Sequence, residues 1–168
     1  MPQSKILVDT NSYLRLAKSI RPLLFVPFGD KEYCLYILSE LNEELKTSKL
    51  DNKFPWTQED EFIENRKFFP KIGKVQKKEI DRNFEYIWSY VLTEFNGPSK
   101  VDVWYIAYAL ELNVPVVTDD QDMTELATTF EVQVIPTLEL LKIMLDCGHI
   151  DMKSINGICD FWRYISDV

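Results

Sequence analysis

Carboxylates recur at four separated points of this chain. Asp9 ends ILVD, Glu40 sits in ILSELNEEL, Asp102 in KVDVWYIAYALELN, and Asp119, Asp120 and Asp122 in VPVVTDDQDM. Asp9 and the TDDQD cluster each close an apolar run that reads as a strand, whereas Glu40 and Asp102 each open a run with helical spacing. In an open α/β sheet the C-terminal ends of the strands share one edge, and ligands bind there. Carboxylates gathered at such an edge repel one another unless a cation sits among them, and hard cations such as Mg²⁺ and Mn²⁺ take oxygen donors of this kind. Taken singly, each acid has an ordinary role as well. Asp9 suits a helix N-cap, Glu40 and Asp102 suit first turns favoured by the helix dipole, and 119–122 suits an acidic turn. Their common position on one expected edge is what joins them.

The elements that position these acids follow from periodicity and punctuation. A strand is expected over 5–8, a helix over 11–20 stopped by Pro22, and a second strand over 32–38. Ser39 then suits the N-cap of a helix through SELNEELKTSK. After a connector at 52–56, Thr57 with Asp60 resembles a capping box, opening a helix that Pro70 and Gly73 break near Phe69. A long helix over 74–95 has Ile80, Phe84, Ile87, Trp88, Val91 and Leu92 at helical spacing, and Gly97 and Pro98 end it. Ser99 suits the N-cap of a helix over 101–112, with Asn113 as its C-cap. A strand over 114–118, a short helix over 123–129 and a strand over 132–135 come next. Pro136 opens a helix closed by Gly148, and a last helix is expected over 154–165. Alternation of strands and helices predicts an α/β domain. Its central sheet is expected to be parallel, with about four to five strands and helices on both faces. Residues 57–96 form an inserted helical hairpin in this reading. The domain spans 1–148, and 149–168 is a C-terminal helical extension of it.

Strand–Asp9-Thr10-Asn11, Glu40 early in a helix, Asp102 opening a helix and Val117-Thr118-Asp119-Asp120-Gln121-Asp122 occur here in an order and spacing that resembles the PIN-domain nucleases, over roughly residues 5–145. The resemblance implies a three-layer α/β/α PIN-like fold and an endoribonuclease dependent on Mg²⁺ or Mn²⁺. It further implies the toxin of a VapC-like toxin–antitoxin pair, with an antitoxin protein as partner and a homodimeric state. The family pattern Thr-x-Asp-x-Asp aligns with Thr118, Asp120 and Asp122 and leaves Asp119 as a solvated neighbour. Asp9, Asp102, Asp120 and Asp122 are then the expected metal ligands. Asp9, Glu40, Asp102 and Asp120 form the expected catalytic set, with Glu40 ligating metal or orienting the attacking water. Asn11 and Thr118 would orient carboxylates through hydrogen bonds. Hydrolysis by water would leave a 5′-phosphate and a 3′-hydroxyl. A structure-selective DNA nuclease and a non-catalytic PIN scaffold for RNA or protein remain the alternatives.

Charge complicates the substrate. The net charge is −8, whereas phosphate binding favours basic surfaces. Between Glu64 and Arg82, however, seven Lys/Arg face three acids. Lys71, Lys74 and Lys78 are the expected substrate-binding residues, sharing a helical face and interleaved with Trp56, Phe68 and Phe69. The acidic remainder equally suits a basic partner protein.

Other chemistries are disfavoured. One histidine, His149, excludes a two-histidine ribonuclease and a histidine-rich zinc site, and a surface or capping role is expected of it. No glycine spacing suits a phosphate-cradling loop. Phosphatases of the haloacid dehalogenase type need Asp where Asn11 stands, and receiver-type phosphoacceptor domains have no counterpart of Glu40. Cys34, Cys147 and Cys159 form no CxxC pair and are expected to be small buried apolar residues. Neither a signal peptide nor a membrane span is expected, so a cytoplasmic location fits. Trp88, Trp104, Tyr105, Tyr108 and Trp162 are expected in the core or an interface rather than as base-stacking platforms, and Trp162 and Tyr164 also suit a dimer or partner surface.

Overall fold

The computed structural model describes residues 4–46, 53–67 and 69–164, apart from the side chain of Tyr164. Its four strands are β1 (Ser4–Val8), β2 (Tyr33–Tyr36), β3 (Val116–Val117) and β4 (Val134–Ile135), all parallel, in the order β2-β1-β3-β4. Eight helices are present among the described residues. They are α1 (Thr10–Leu16), α2 (Ser39–Leu45), α3 (Asp60–Asn65), α4 (Lys74–Glu94), α5 (Lys100–Leu112), α6 (Gln121–Thr129), α7 (Thr137–Asp146) and α8 (Met152–Tyr164). No described helix is long and apolar enough to cross a membrane.

The sheet is short and buried on both faces, as β-branched and leucine-rich parallel strands require. Ile6, Leu7, Val8, Leu35, Val116 and Val117 are all solvent-inaccessible or nearly so. Helix α5 covers it with an almost wholly apolar surface, burying Val103, Tyr105, Ile106 and Ala107. The chain runs from β1 outward to β2, then crosses back to β3 on the other side of β1. The strand order therefore reverses between β1 and β3, and a crevice at the carboxyl ends of those two strands is the default ligand site of such sheets.

Several local expectations give way to other physics. Helix α1 ends at Leu16 rather than near Ile20, because the amides of Ser19 and Ile20 both turn back onto the Leu16 carbonyl. Leu38, not Ser39, is the N-cap of α2, and Ser39 is the first helical residue. The expected continuation of that helix past Lys46 lies outside the described residues, as does Phe68. Thr57 caps no helix. It is fully buried in a 3₁₀ turn (Pro55–Gln58), with Oγ1 donating to the Phe54 carbonyl, and α3 begins after Glu59. The two helices of the 57–96 segment have different main partners: α3 packs on the 3₁₀ turn and α4 packs along α5. Helix α8 docks on α1, where Trp162 is 7% exposed and donates Nε1–H to the Arg15 carbonyl at 3.1 Å. Trp162 therefore belongs to the core and not to a partner surface, and the Tyr164 side chain lies outside the description. Cys34 is buried as expected, but Cys147 is exposed and Cys159 is half-buried. His149 caps the end of α7 through its amide, which donates to the Met144 carbonyl at 2.9 Å, and its ring is half-buried. It stacks on Phe28 with ring centroids 4.8 Å apart, and its partial burial lowers its pKa.

Candidate carboxylate site

Asp9 and Thr118 meet at the reversal point of the sheet. The Asp9 amide donates to the Val117 carbonyl, which ties the end of β1 to the end of β3. Asp9 is 3% exposed. Its Oδ1 caps α1 by accepting from the Ser12 amide at 2.9 Å, and its Oδ2 accepts from the Thr118 hydroxyl at 2.5 Å. Thr118, 1% exposed, also accepts from the Asp120 amide at 3.1 Å, so one hydroxyl links two carboxylate-bearing segments. Burial pushes the Asp9 carboxyl up. The hydrogen bonds from Thr118 and Ser12 oppose this, and the Asp119 charge adds to it.

Asp102 and Asp120 arrive at the same edge from helix starts. Asp102 closes a capping box with Ser99, its Oδ2 accepting from the Ser99 amide at 3.0 Å while the Ser99 hydroxyl accepts from its amide. Asp120 is the N-cap of α6, its Oδ1 accepting from the Met123 amide at 2.8 Å. That helix accordingly starts two residues earlier than expected. The Asp102 carboxyl is raised from 3.8 to about 6. Burial is the largest cause, and the Asp9 and Asp120 carboxylates add to it against the Ser99 hydrogen bonds. Asp9 is thus the N-cap and Asp102 the first-turn acid that the sequence suggests, whereas the capping role of Asp120 is not anticipated by it. The caps also leave Asp102 Oδ1 and Asp120 Oδ2 without a hydrogen bond among the described residues.

The fourth acid of the cluster is Glu44 more than Glu40. Glu44 Oε2 accepts from the Thr10 hydroxyl at 2.9 Å, and burial together with the Asp102 charge raises its pKa against that hydrogen bond. Glu40 lies one turn earlier on the same face of α2 and accepts from the Ser39 hydroxyl. Its field reaches Lys77 and Tyr108 on α4 and α5. The repeated acids of SELNEEL are the available signal for Glu44, since residues four apart share a helix face. Tyr105 is a core residue, and its buried hydroxyl accepts from the Leu38 amide at 3.3 Å, pinning the start of α2 to α5. Burial and the charges of Asp9, Glu44 and Glu40 drive its pKa well above 10.

The remaining expectations divide. Asp122 is exposed and lies against the 95–99 connection, so close that a Cβ added at Gly97 would fall 2.6 Å from its Oδ2. Asp119 is exposed, as expected of it, and is also held in place. Its Oδ2 pairs with Arg15 at 2.5 Å and its Oδ1 accepts from the Thr137 amide at the start of α7. Asn11 is exposed on α1 and makes no hydrogen bond to a site carboxylate among the described residues. Orientation of Asp9 comes instead from Ser12 and Thr118. Lys71 precedes α4, so it shares no helical face with Lys74 and Lys78. It lines a cleft of about 510 Å³ with Ser4, Lys5 and Pro115, at the opposite edge of the sheet. Lys74 and Lys78 are on α4, with Lys74 exposed. Lys77, also on α4, lies within the field of Glu40. Its Nζ pairs with Asp81 at 3.1 Å and sits 4.9 Å over the Trp104 ring, which stacks on Phe84 at 3.9 Å. Burial works to lower the Lys77 pKa, but Asp81, Tyr108 and Glu40 together raise it.

The resemblance implies a divalent metal at this edge. Among the described residues, no group of three or more His, Cys, Asp or Glu side chains is closed up around a metal position. The donor set nonetheless fits such an ion chemically. It is all-oxygen, it carries mutual repulsion that a cation would relieve, and it retains carboxylate oxygens without hydrogen bonds. Mg²⁺ in particular keeps several waters and binds through only one or two carboxylates plus substrate phosphate. No protein-family model matches the chain, and no curated protein matches it.

Proposed function

We propose that this protein is a PIN-like, Mg²⁺- or Mn²⁺-dependent endoribonuclease of three-layer α/β/α architecture. One observation carries the reading: carboxylates from four separated segments, Asp9, Glu44, Asp102 and Asp120, converge at the reversal point of a parallel sheet, and the charges of Asp9 and Asp120 help raise Asp102 to about 6. An uncompensated cluster of this kind destabilises the fold, and a cation with a phosphate offsets that cost.

Asp9, Asp102 and Asp120 would hold the metal, with Asp122 reaching it from the first turn of α6. When bound, the metal supplies an acidified water and neutralises charge on the scissile phosphate. Thr118 fixes Asp9 and Asp120 relative to each other. Glu44, held through Oε2 by Thr10, presents Oε1 to accept a proton from the attacking water. Glu40 acts on Lys77 through its charge, and the lysine would attract backbone phosphate. Attack by water on phosphorus would break the bond to the 3′ oxygen, which takes a proton from solvent and leaves as a hydroxyl, and the 5′-phosphate stays on the other fragment.

The test is cleavage of labelled single-stranded RNA and DNA of matched sequence with Mg²⁺, Mn²⁺ or EDTA. Metal-dependent RNA cutting to 5′-phosphate ends supports the reading. Preferential cutting of DNA moves the assignment to a DNA nuclease, and no cutting by folded protein leaves a non-catalytic scaffold.

A further inference from the structure

On the side of α2 away from Glu40 and Glu44 lies a small pocket of about 230 Å³, lined by Asn42, Lys46, Gln58, Arg66, Lys67 and Phe69 among others. Arg66 is its unusual member. It is 4% exposed, yet it forms no ion pair with a carboxylate among the described residues. Its Nε donates to Asn42 Oδ1 at 2.9 Å and its Nη1 donates to the Tyr13 hydroxyl at 3.0 Å. Both partners are neutral. Buried charges are ordinarily paired or metal-bound, because desolvation of a lone ion is costly. A buried guanidinium fixed by neutral groups at the wall of a pocket is therefore a site waiting for an anion, and its planar fork matches phosphate oxygens.

The rest of the lining agrees. Lys46 and Lys67 flank the opening, and each pairs only with an exposed acid near it in sequence, Glu43 at 3.3 Å and Glu64 at 2.7 Å. Surface pairs of that kind are worth little and exchange readily. Asn42 and Gln58 add amide groups, and Phe69, 37% exposed, supplies a ring face at the rim. The volume falls below the roughly 300–1,000 Å³ of drug-sized ligand sites. It suits a phosphate and the group beside it rather than a whole cofactor.

We propose that this pocket is a phosphate subsite for the RNA strand that the carboxylate edge cuts. Arg66, Lys46 and Lys67 receive a backbone or terminal phosphate, and Phe69 meets the adjoining base. The position suits this role. Arg66 is bonded to Tyr13, four residues beyond Asp9, and to Asn42, two residues before Glu44, so the pocket and the carboxylates stand on opposite sides of α2. A helix with its side chains is about 10–12 Å across, a span that a few nucleotides cover. The identity of the strand rests on the nuclease reading, whereas the anion pocket itself does not.

The experiment is fluorescence anisotropy of a labelled, 5′-phosphorylated RNA oligonucleotide in EDTA, where no metal bridges RNA to the carboxylates. Wild type, Lys46→Gln/Lys67→Gln and Arg66→Lys are compared, with inorganic phosphate and a phosphoserine peptide as competitors. The inference expects the double variant to bind at least tenfold more weakly. Its salt dependence should fall by up to about 0.7 in log–log slope, the value for one single-strand phosphate no longer neutralised. Inorganic phosphate should compete. The double variant alters only exposed lysines, so its result decides the matter even if Arg66→Lys fails to fold. Unchanged binding in the double variant overturns the subsite, as does absence of RNA binding by wild type. Stronger competition by the phosphopeptide than by unlabelled RNA overturns the strand assignment. If wild type binds as expected but never cleaves with metal, the subsite stands and the nuclease reading falls.

Discussion

Replacing Asp102 by Asn should stabilise this protein at neutral pH, which is unusual for a change at a partly buried, hydrogen-bonded position. The carboxyl is raised from 3.8 to about 6 by burial and by Asp9 and Asp120. A folded-state pKa above the unfolded one means that the folded state binds the proton more tightly. The associated stability is present in full below about pH 4 and is lost as pH rises through about 6. At roughly 1.4 kcal/mol per pH unit, the displacement corresponds to about 3 kcal/mol. That is an upper figure, because solvent at the rim of a half-buried group screens the repulsion. Asn keeps the shape and can still accept from the Ser99 amide, but it carries no charge. Urea unfolding in EDTA, followed by tryptophan fluorescence, should show wild type losing up to about 3 kcal/mol between pH 4 and pH 8 relative to Asp102→Asn. The variant should match or trail wild type at pH 4 and exceed it at pH 8. A variant less stable than wild type at both values would refute the claim that uncompensated charge collects at this edge.

Three further outcomes follow from the same geometry. Glu44→Gln should reduce RNA cleavage more than Glu40→Gln does, because Glu44 is the acid locked to Thr10 and coupled to Asp102; matched initial rates of the two variants decide it. Thr118→Val removes the hydroxyl shared by Asp9 and the Asp120 amide, and should cost about 1–3 kcal/mol in urea unfolding. Gly97→Ala should fold with little loss of stability, since the clash is with the flexible tip of Asp122, and should lower cleavage as far as Asp122→Asn does. A Gly97→Ala enzyme as active as wild type would show that Asp122 contributes nothing from its present position.

Much of this arrangement is legible in the residues because local chemistry and global fold agree. Short apolar strands alternating with helices imply the parallel sheet, Ser99 is the N-cap its position suggests, and Asp9 stands at the end of β1 where the sheet edge must be. What fails is decided by tertiary contact. Glu40 and Glu44 share a helix face, and only packing against Thr10 distinguishes them. Lys71 shares a helical period with Lys74, but Gly73 starts the helix after it and leaves it at the other edge of the sheet. Trp162 suits a partner surface and a core equally until α8 lies on α1. Arg66 belongs to a basic run whose composition suits an exposed face, and its burial against Tyr13 has no local signature at all.

The central claim is that these carboxylates take a divalent cation, and a Mn²⁺ titration read by electron paramagnetic resonance tests it most directly. Wild type should bind Mn²⁺, and Asp9→Asn and Asp102→Asn should each weaken that binding at least tenfold while remaining folded by circular dichroism. Binding that is absent in wild type, or unchanged in both variants, would contradict the account.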